Sequence, residues 1–530
     1  MNHSLIFGHL LIVLAFHREW SWDSNFTQRF GHYVSQNWQR FFPTESECPH
    51  LIYVDLWPVA NPVMFSLQAY ISNQMVLGRN VPKSHMQGDF LGPITEGKDF
   101  NCTSDLEEWK IWRSRFNPGF SATNIQCWVS DVLEEVEIFS DGLRRRCGPG
   151  DEWGEVFPLE KPAHDLAFDV TGRVVLNVRL GSQTATPAPF STAYREQLER
   201  MEITLNPIKV AWRSLPFFQR LIRQKRGELF DMLRPAITAN TETHTTGIPT
   251  IIHTASKIHD QESLKSEDET SPAHSSPSFV HALFPHLMIF FFGGDDAIAL
   301  VIPNMFRYLQ DNPECLARLR AEHDTVFGTD ANTAAAQIRG DPSKLSALPY
   351  TVGVIKETLR LSPATITIRQ GQKDLNFEVQ RSAAAGPWPS AGFDVLESTV
   401  TIHRDPANFP RPLEFLPERF VSPTLPKVNG KGNDSLGQSP THAWRGFQLG
   451  PRRCIGQELA MLELKLVLVL VARKYDVELA WEAWDALRER QTGRKPVVSA
   501  VEGDRMYTTG KATAHSKDGA PVHVRLHGSR

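Results

Sequence analysis

Cysteine is scarce in this chain and follows no pattern. Cys48, Cys102, Cys127, Cys147, Cys315 and Cys454 form no CxxC pair and no zinc-type spacing, and six in 530 residues are too few for a disulfide scaffold. A reducing compartment with one functional thiolate is the simplest account. A basic surplus is also missing. The 56 Lys and Arg face 60 Asp and Glu, and the net charge of −4 argues against nucleic-acid binding. No glycine-rich flavin or nicotinamide fingerprint is evident, so any electrons must come from a separate protein. Long apolar runs are few. Leu5 to Phe16 is apolar apart from His9, but it falls short of the roughly 20 residues that span a bilayer, and His17, Arg18 and Glu19 stop it. It fits a shallow anchor, a secretory signal core or a helix packed on the body. Phe279 to Gln310 is longer but holds Asp295 and Asp296 at its centre, with Pro285 and Pro303 inside it. Two central aspartates suit a helix buried in protein rather than in lipid.

What is present is a large apolar complement, 41% of residues with 10% aromatic, enough for a substantial core. The chain is organised around Phe447-Gln448-Leu449-Gly450-Pro451-Arg452-Arg453-Cys454-Ile455-Gly456. Leu459, Leu462, Leu466 and Leu470 follow at helical spacing. A lone cysteine where an irregular loop becomes a helix meets the first free backbone N–H groups. That field favours the thiolate, the form that ligates metal. Gly450 permits a tight turn, and Gly456 lets the helix lie against something flat. Arg452 places a cation two residues before the sulfur, suited to a carboxylate. A flat, iron-centred ligand with carboxylate arms fits these demands, and heme is such a ligand. The competing reading is a buried structural cysteine at a helix start.

The pattern Phe-x-x-Gly-x-Arg-x-Cys-x-Gly resembles the heme-binding loop of the cytochrome P450 monooxygenases, and other motifs of that family occur in the family's order. Trp109 and Arg113, four apart on one helical face, resemble its Trp-x-x-x-Arg element. Ser104 and Asp105 are cap-type residues ahead of that helix. Gly293, Gly294, Asp295, Asp296 and Ala297 resemble the centre of the helix that crosses the distal heme face. Glu357 and Arg360 resemble the Glu-x-x-Arg helix, and Arg419 belongs to an intact Pro417-Glu418-Arg419-Phe420 segment. In relatives these three charges lock together.

The resemblance implies an α+β, mainly α fold with a large helical lobe and a small β-rich lobe. Residues 30–530 form one catalytic domain behind an N-terminal anchor or leader at 1–29. Leu51–Trp57 reads as a strand, and Met64–Met75 as a strand leading into a short helix. Leu215–Arg234 fits either a helix roofing the pocket or a solvated outer helix. The polar run at 259–278 is expected as a flexible excursion, and a loop spans Val421–Thr441.

For the site, the resemblance implies heme as cofactor, with Cys454 as iron ligand. Arg452, Trp109, Arg113 and Arg369 then hold propionates, while Phe447, Gly450 and Gly456 shape the loop. Gly293 and Gly294 make room for dioxygen, and Asp296 delivers protons. Ala297 stands where the family has threonine, a departure with weight, because positioned proton transfer is worth about 10²–10⁴-fold. His403 reads as structural. Arg445, Arg453 and Lys465 read as a basic patch for an electron donor or as a solvated face. The implied activity is insertion of oxygen from O2 into a hydrophobic small molecule, with electrons from NADPH through a cytochrome reductase-type partner. The implied setting is the cytosolic face of the endoplasmic reticulum membrane, in secondary metabolism. Because of Ala297, a heme-thiolate isomerase or dehydratase and a non-catalytic heme protein remain as alternatives.

Overall fold

The computed structural model describes all residues except 2, 5–6, 78, 202–210, 213, 243–247, 266–276, 380–386, 422–441, 511–513 and 529–530. Helices dominate it, with short strands gathered at one side and at the C-terminus. The apolar segment with two central aspartates forms one 35-residue helix, Pro277–Asp311, hereafter the central helix. It is long and apolar enough to cross a membrane, but most of it is buried inside the protein. Leu287, Phe291, Ile302 and Met305 are fully covered.

The main partner of the central helix is Glu160–Leu176, in which every residue from Asp165 to Leu176 is buried. The two approach so closely that a Cβ on Gly294 would collide with Thr171 Oγ1. Phe168 rests on Phe291 with ring centroids 4.9 Å apart. Pro349–Leu361 and Gln457–Val471 complete the core, the latter burying Leu459, Leu462, Leu466 and Leu470.

The small lobe is built on a four-stranded sheet. Its strands are β1 (Leu51–Val54), β2 (Val63–Ser66), β3 (Ile368–Gln370) and β4 (Asp394–Glu397), in the order β1-β2-β4-β3. β2 and β4 run parallel, and the other pairs are antiparallel. The N-terminal helix Leu10–Trp20 packs Ile12, Val13, Phe16 and Trp20 into this lobe's core and leaves Leu11 and Leu14 exposed on its outer face.

Two expectations need correction. The run at 259–278 is not wholly an excursion, because Ile251–Lys265 is helical and His259 stacks on Phe279 at 4.0 Å. A short apolar face with an aromatic partner outweighed the polar composition there. Residues 266–276 lie outside the described residues, as do residues 422–441 of the expected loop. Pro216–Glu242 does not roof the cavity above Cys454. Its Phe218, Ile222 and Arg226 face the helix His85–Thr95 across a second cavity of about 920 Å³.

Candidate active site

Cys454 sits two residues ahead of the N-cap Gly456, on the loop that feeds Gln457–Val471. The loop is pinned by the Cys454 N–H donating to Phe447 O at 2.9 Å. Gly450 adopts φ +76°, and a Cβ there would strike the Val76 carbonyl oxygen, so the turn requires glycine. The sulfur opens onto a cavity of about 340 Å³ while protein encloses it at longer range. Burial pushes its thiol up, and the Gly456 N–H and the Arg113 charge offset this only in part. The Gly456 N–H thus acts in the direction expected of a helix start, while burial is the larger effect.

One rim of the cavity is a set of cations without anions. Lys83, Trp109, Arg113 and Arg452 all line it. Arg452 lies over the Trp109 ring at 4.8 Å and donates to Asn80 Oδ1 and Thr103 O, while its buried Nη2 has no partner among the described residues. Trp109 and Arg113 come from the helix Leu106–Phe116, capped by Asp105, whose carboxylate accepts from Glu107 N and Glu108 N. Burial lowers Arg113 and Arg452 to about 10, and Lys83 falls well below its ordinary value. Among the described residues Lys83 Nζ reaches only Thr367 Oγ1, at 3.4 Å. Arg369 is buried on β3 and donates to Val81 O, with Nε unpartnered, but it does not line the cavity. Buried cations held apart from carboxylates call for anionic groups arriving with a ligand. The carboxylate arms of heme match that need.

Sequence reasoning missed Lys83 and Gln448. The Gln448 amide lines the cavity with both polar atoms buried and without a partner among the described residues, at φ +62°. A lone lysine in an isolated bridge to Arg369 carries no periodic signal, so only its burial reveals it. Replacing Lys83 by methionine should weaken hemin binding about ten-fold or more, consistent with loss of about 1.5–3 kcal/mol for one charge-assisted bond. Titrating apoprotein with hemin measures this, and unchanged affinity would remove Lys83 from the cradle.

Behind the loop lies a chain of buried bonds. Arg360 clamps Glu357 through Nε and Nη2 at 2.7 and 2.8 Å, and Arg419 Nε reaches Glu357 Oε1 at 3.1 Å. Glu357 and Arg360 have no solvent exposure. Glu357 also accepts from Leu416 N, while Arg360 donates to the carbonyls of His403, Pro412 and Glu414. His403 Nδ1–H in turn donates to Arg360 O, leaving Nε2 to accept from Arg445 N, two residues before Phe447. Thus His403 holds the heme loop to the charge cluster. Arg445 is itself buried against Glu397 at 2.8 Å, and Lys465 is half-buried with Nζ on Leu345 O. Of the three cations read as a partner patch, only Arg453 is exposed. The other two were drawn inward to complete polar bonds.

On the side of the central helix, Gly293, Gly294 and Ala297 line the cavity with Phe90 and Phe290, while Phe120 lies beside Gly456 on the cysteine side. Asp296 does not line it. Its Oδ1 lies 3.9 Å from His164 Nδ1, which donates to Asp295 Oδ1 at 2.7 Å. Both aspartates are buried on the face of the central helix that meets Glu160–Leu176.

The chain matches the family described as cytochrome P450 over residues 64–493. It is 30% identical to cytochrome P450 monooxygenase polC of Polytolypa hystricis over 487 residues, covering 90% of this chain and 82% of that one. It is 29% identical to cytochrome P450 monooxygenase acrF of Aspergillus aculeatus, covering 89% and 93%. A third relative, cytochrome P450 monooxygenase ptmG of Penicillium ochrochloron, is 24% identical, covering 90% and 82%. A cysteine opening onto an enclosed cavity, a rim of anion-seeking cations and a family match across most of the length agree: the chain belongs to the cytochrome P450 family and is a heme-dependent oxidoreductase.

Proposed function

We propose that this P450 inserts one oxygen atom from O2 into a hydrophobic small molecule of fungal secondary metabolism. Electrons come from NADPH through a separate flavoprotein reductase. The observation that carries the substrate class is the apolar stretch of cavity wall made by Phe90, Leu91, Phe100, Ile289 and Val301. Such a wall binds by excluding water, and a handful of polar atoms fixes orientation. The named fungal monooxygenases support the reaction type.

Heme, when bound with the Cys454 thiolate on its iron, supplies the activation of dioxygen, the thiolate favouring O–O cleavage. Lys83, Arg113, Arg452 and Trp109 hold its carboxylates, and Arg369 adds to the positive field from β3. Gly293 and Gly294 keep the distal side free of side chains, while Ala364, Thr365 and Ile366 close the cavity beside the sheet. The exposed Leu11, Leu14 and Trp22 of the N-terminal region support residence at a membrane surface, which we assign to the cytosolic face of the endoplasmic reticulum.

The test is a screen for the spin-state shift of purified holoprotein, followed by product analysis with NADPH and reductase. Products formed without NADPH would replace the monooxygenase with an isomerase or dehydratase. Ala297→Thr adds a hydroxyl to the cavity wall. If the native site already has a proton supply, product formed per NADPH should stay within about two-fold, far below the 10²–10⁴-fold worth of a missing proton donor. A rise of ten-fold or more would show the native site to be handicapped.

A further inference from the structure

Away from the cavity above Cys454, two imidazoles and a carboxylate converge behind the central helix. Glu160 and His164 lie four apart on one face of Glu160–Leu176, and His515 comes from the short strand His515–Ser516 near the C-terminus. Glu160, His164 and His515 each offer one ligand atom, and the three atoms lie within 4.8 Å of one another. Glu160 Oε1 is 2.6 Å from His515 Nδ1 and 3.6 Å from His164 Nε2. Ligand atoms about 2.0–2.1 Å from a tetrahedral zinc ion stand roughly 3.3 Å apart, and the observed spacings bracket that value.

The outward-facing atoms of two of these side chains are already held. His164 Nδ1–H donates to Asp295 Oδ1 at 2.7 Å, so in the neutral ring the Nε2 lone pair is left toward Glu160. The Ser516 N–H donates to Glu160 Oε2 at 2.7 Å, which leaves Oε1 for the centre. A carboxylate behind an imidazole fixes its tautomer and raises its basicity, the usual outer support of a metal-bound histidine. A second grouping, His164 with Asp295 and Asp296, would use Nδ1 instead. Those carboxylates are nearly closed to water, at 3% and 10% exposure, whereas the side chains of His164 and His515 are 21% and 36% exposed and give an ion a way in. Among the described residues Glu160 and Asp295 pair with histidines and with no lysine or arginine. Their charge is met either by protons on the imidazoles or by a metal cation that replaces them.

We propose that Glu160, His164 and His515 bind one zinc-class divalent cation, with water in the remaining position and Asp295 as the positioning residue behind His164. Two imidazole nitrogens and a carboxylate oxygen are a zinc donor set, whereas magnesium and calcium select oxygen. Ligation breaks the His515–Glu160 hydrogen bond and releases the protons the imidazoles carry, with no change of oxidation state. None of the three ligands lines the cavity above Cys454, but Ala514, next to His515, does. The ion thus ties the segment that carries Ala514 to the helix packed on the central helix, and it holds that edge of the cavity in place. The site is independent of the monooxygenase reading.

The test uses tag-free holoprotein, stripped of loosely held metal with a chelator and titrated with zinc chloride alone. One zinc per chain should bind, and X-ray absorption at the zinc edge should show nitrogen and oxygen neighbours without sulfur, which separates this site from the cysteines. Zinc should also raise the midpoint of thermal unfolding, because it binds the folded chain. Asp295→Asn should weaken zinc binding about ten-fold or more, and His515→Ala, which removes a ligand, about a hundred-fold or more. His515→Ala should also lose the rise in midpoint while keeping the wild-type carbon monoxide spectrum. If that variant fails to hold heme, Glu160→Gln, which keeps the shape and can still accept from Ser516 N, decides in the same way. Zinc held no more tightly by wild type than by these variants, or sulfur among its neighbours, overturns the site. Loss of the thiolate band in wild type overturns the P450 reading and leaves the zinc result standing.

Discussion

Replacing Cys454 by alanine is expected to abolish oxygenation and to remove the strongly red-shifted Soret band that reduced protein gives with carbon monoxide. The site makes the prediction sharp. Among the described residues no other cysteine lines the cavity, so no second sulfur can take over. The Arg113 charge and the Gly456 N–H both favour the ionised form of this sulfur. Serine is a more demanding control, because it keeps volume and hydrogen bonding but lacks the soft thiolate that iron requires. Oxygenation at the wild-type rate by either variant would end the assignment.

Glu357→Ala is expected to cost about 3–5 kcal/mol, because it strands two buried guanidinium groups. Arg360 and Arg419 both lean on the Glu357 carboxylate, and the Leu416 N–H would lose its acceptor too. The damage should reach the heme loop through bonds rather than bulk. Arg360 holds His403, and His403 accepts from Arg445 next to Phe447. Heme content after purification is therefore the primary readout, with thermal unfolding of the remaining protein as the second. Glu357→Gln keeps the shape and part of the bonding, so it should lose less. Stoichiometric heme in Glu357→Ala would show that the cluster does not support the loop.

The loop and the charge cluster were legible in the sequence because each is a short run whose spacing alone imposes geometry. Asp105 capping Leu106–Phe116, with Trp109 and Arg113 on one face, follows from local rules. So does the buried stripe of Leu459, Leu462, Leu466 and Leu470. Arg445 and Asp296 were legible as residues but not as positions. An arginine near the proximal loop reads as a surface cation until Glu397 and Asn73 are seen to claim it. An acid beside a distal glycine reads as facing the cavity until His164 is seen on the other side.

The sequence by itself determined the family, the central helix and the conflict posed by Ala297, and it singled out Cys454 as the candidate ligand, because these depend on residue type and on spacings of a few positions. Only the tertiary structure decided where the unpaired charge goes. Lys83 and Gln448 come from separate segments, and neither residue type nor spacing marks them as lining one cavity. Packing takes their polar atoms out of water, and a buried polar atom without a partner is costly enough to mark a site only when the fold is complete.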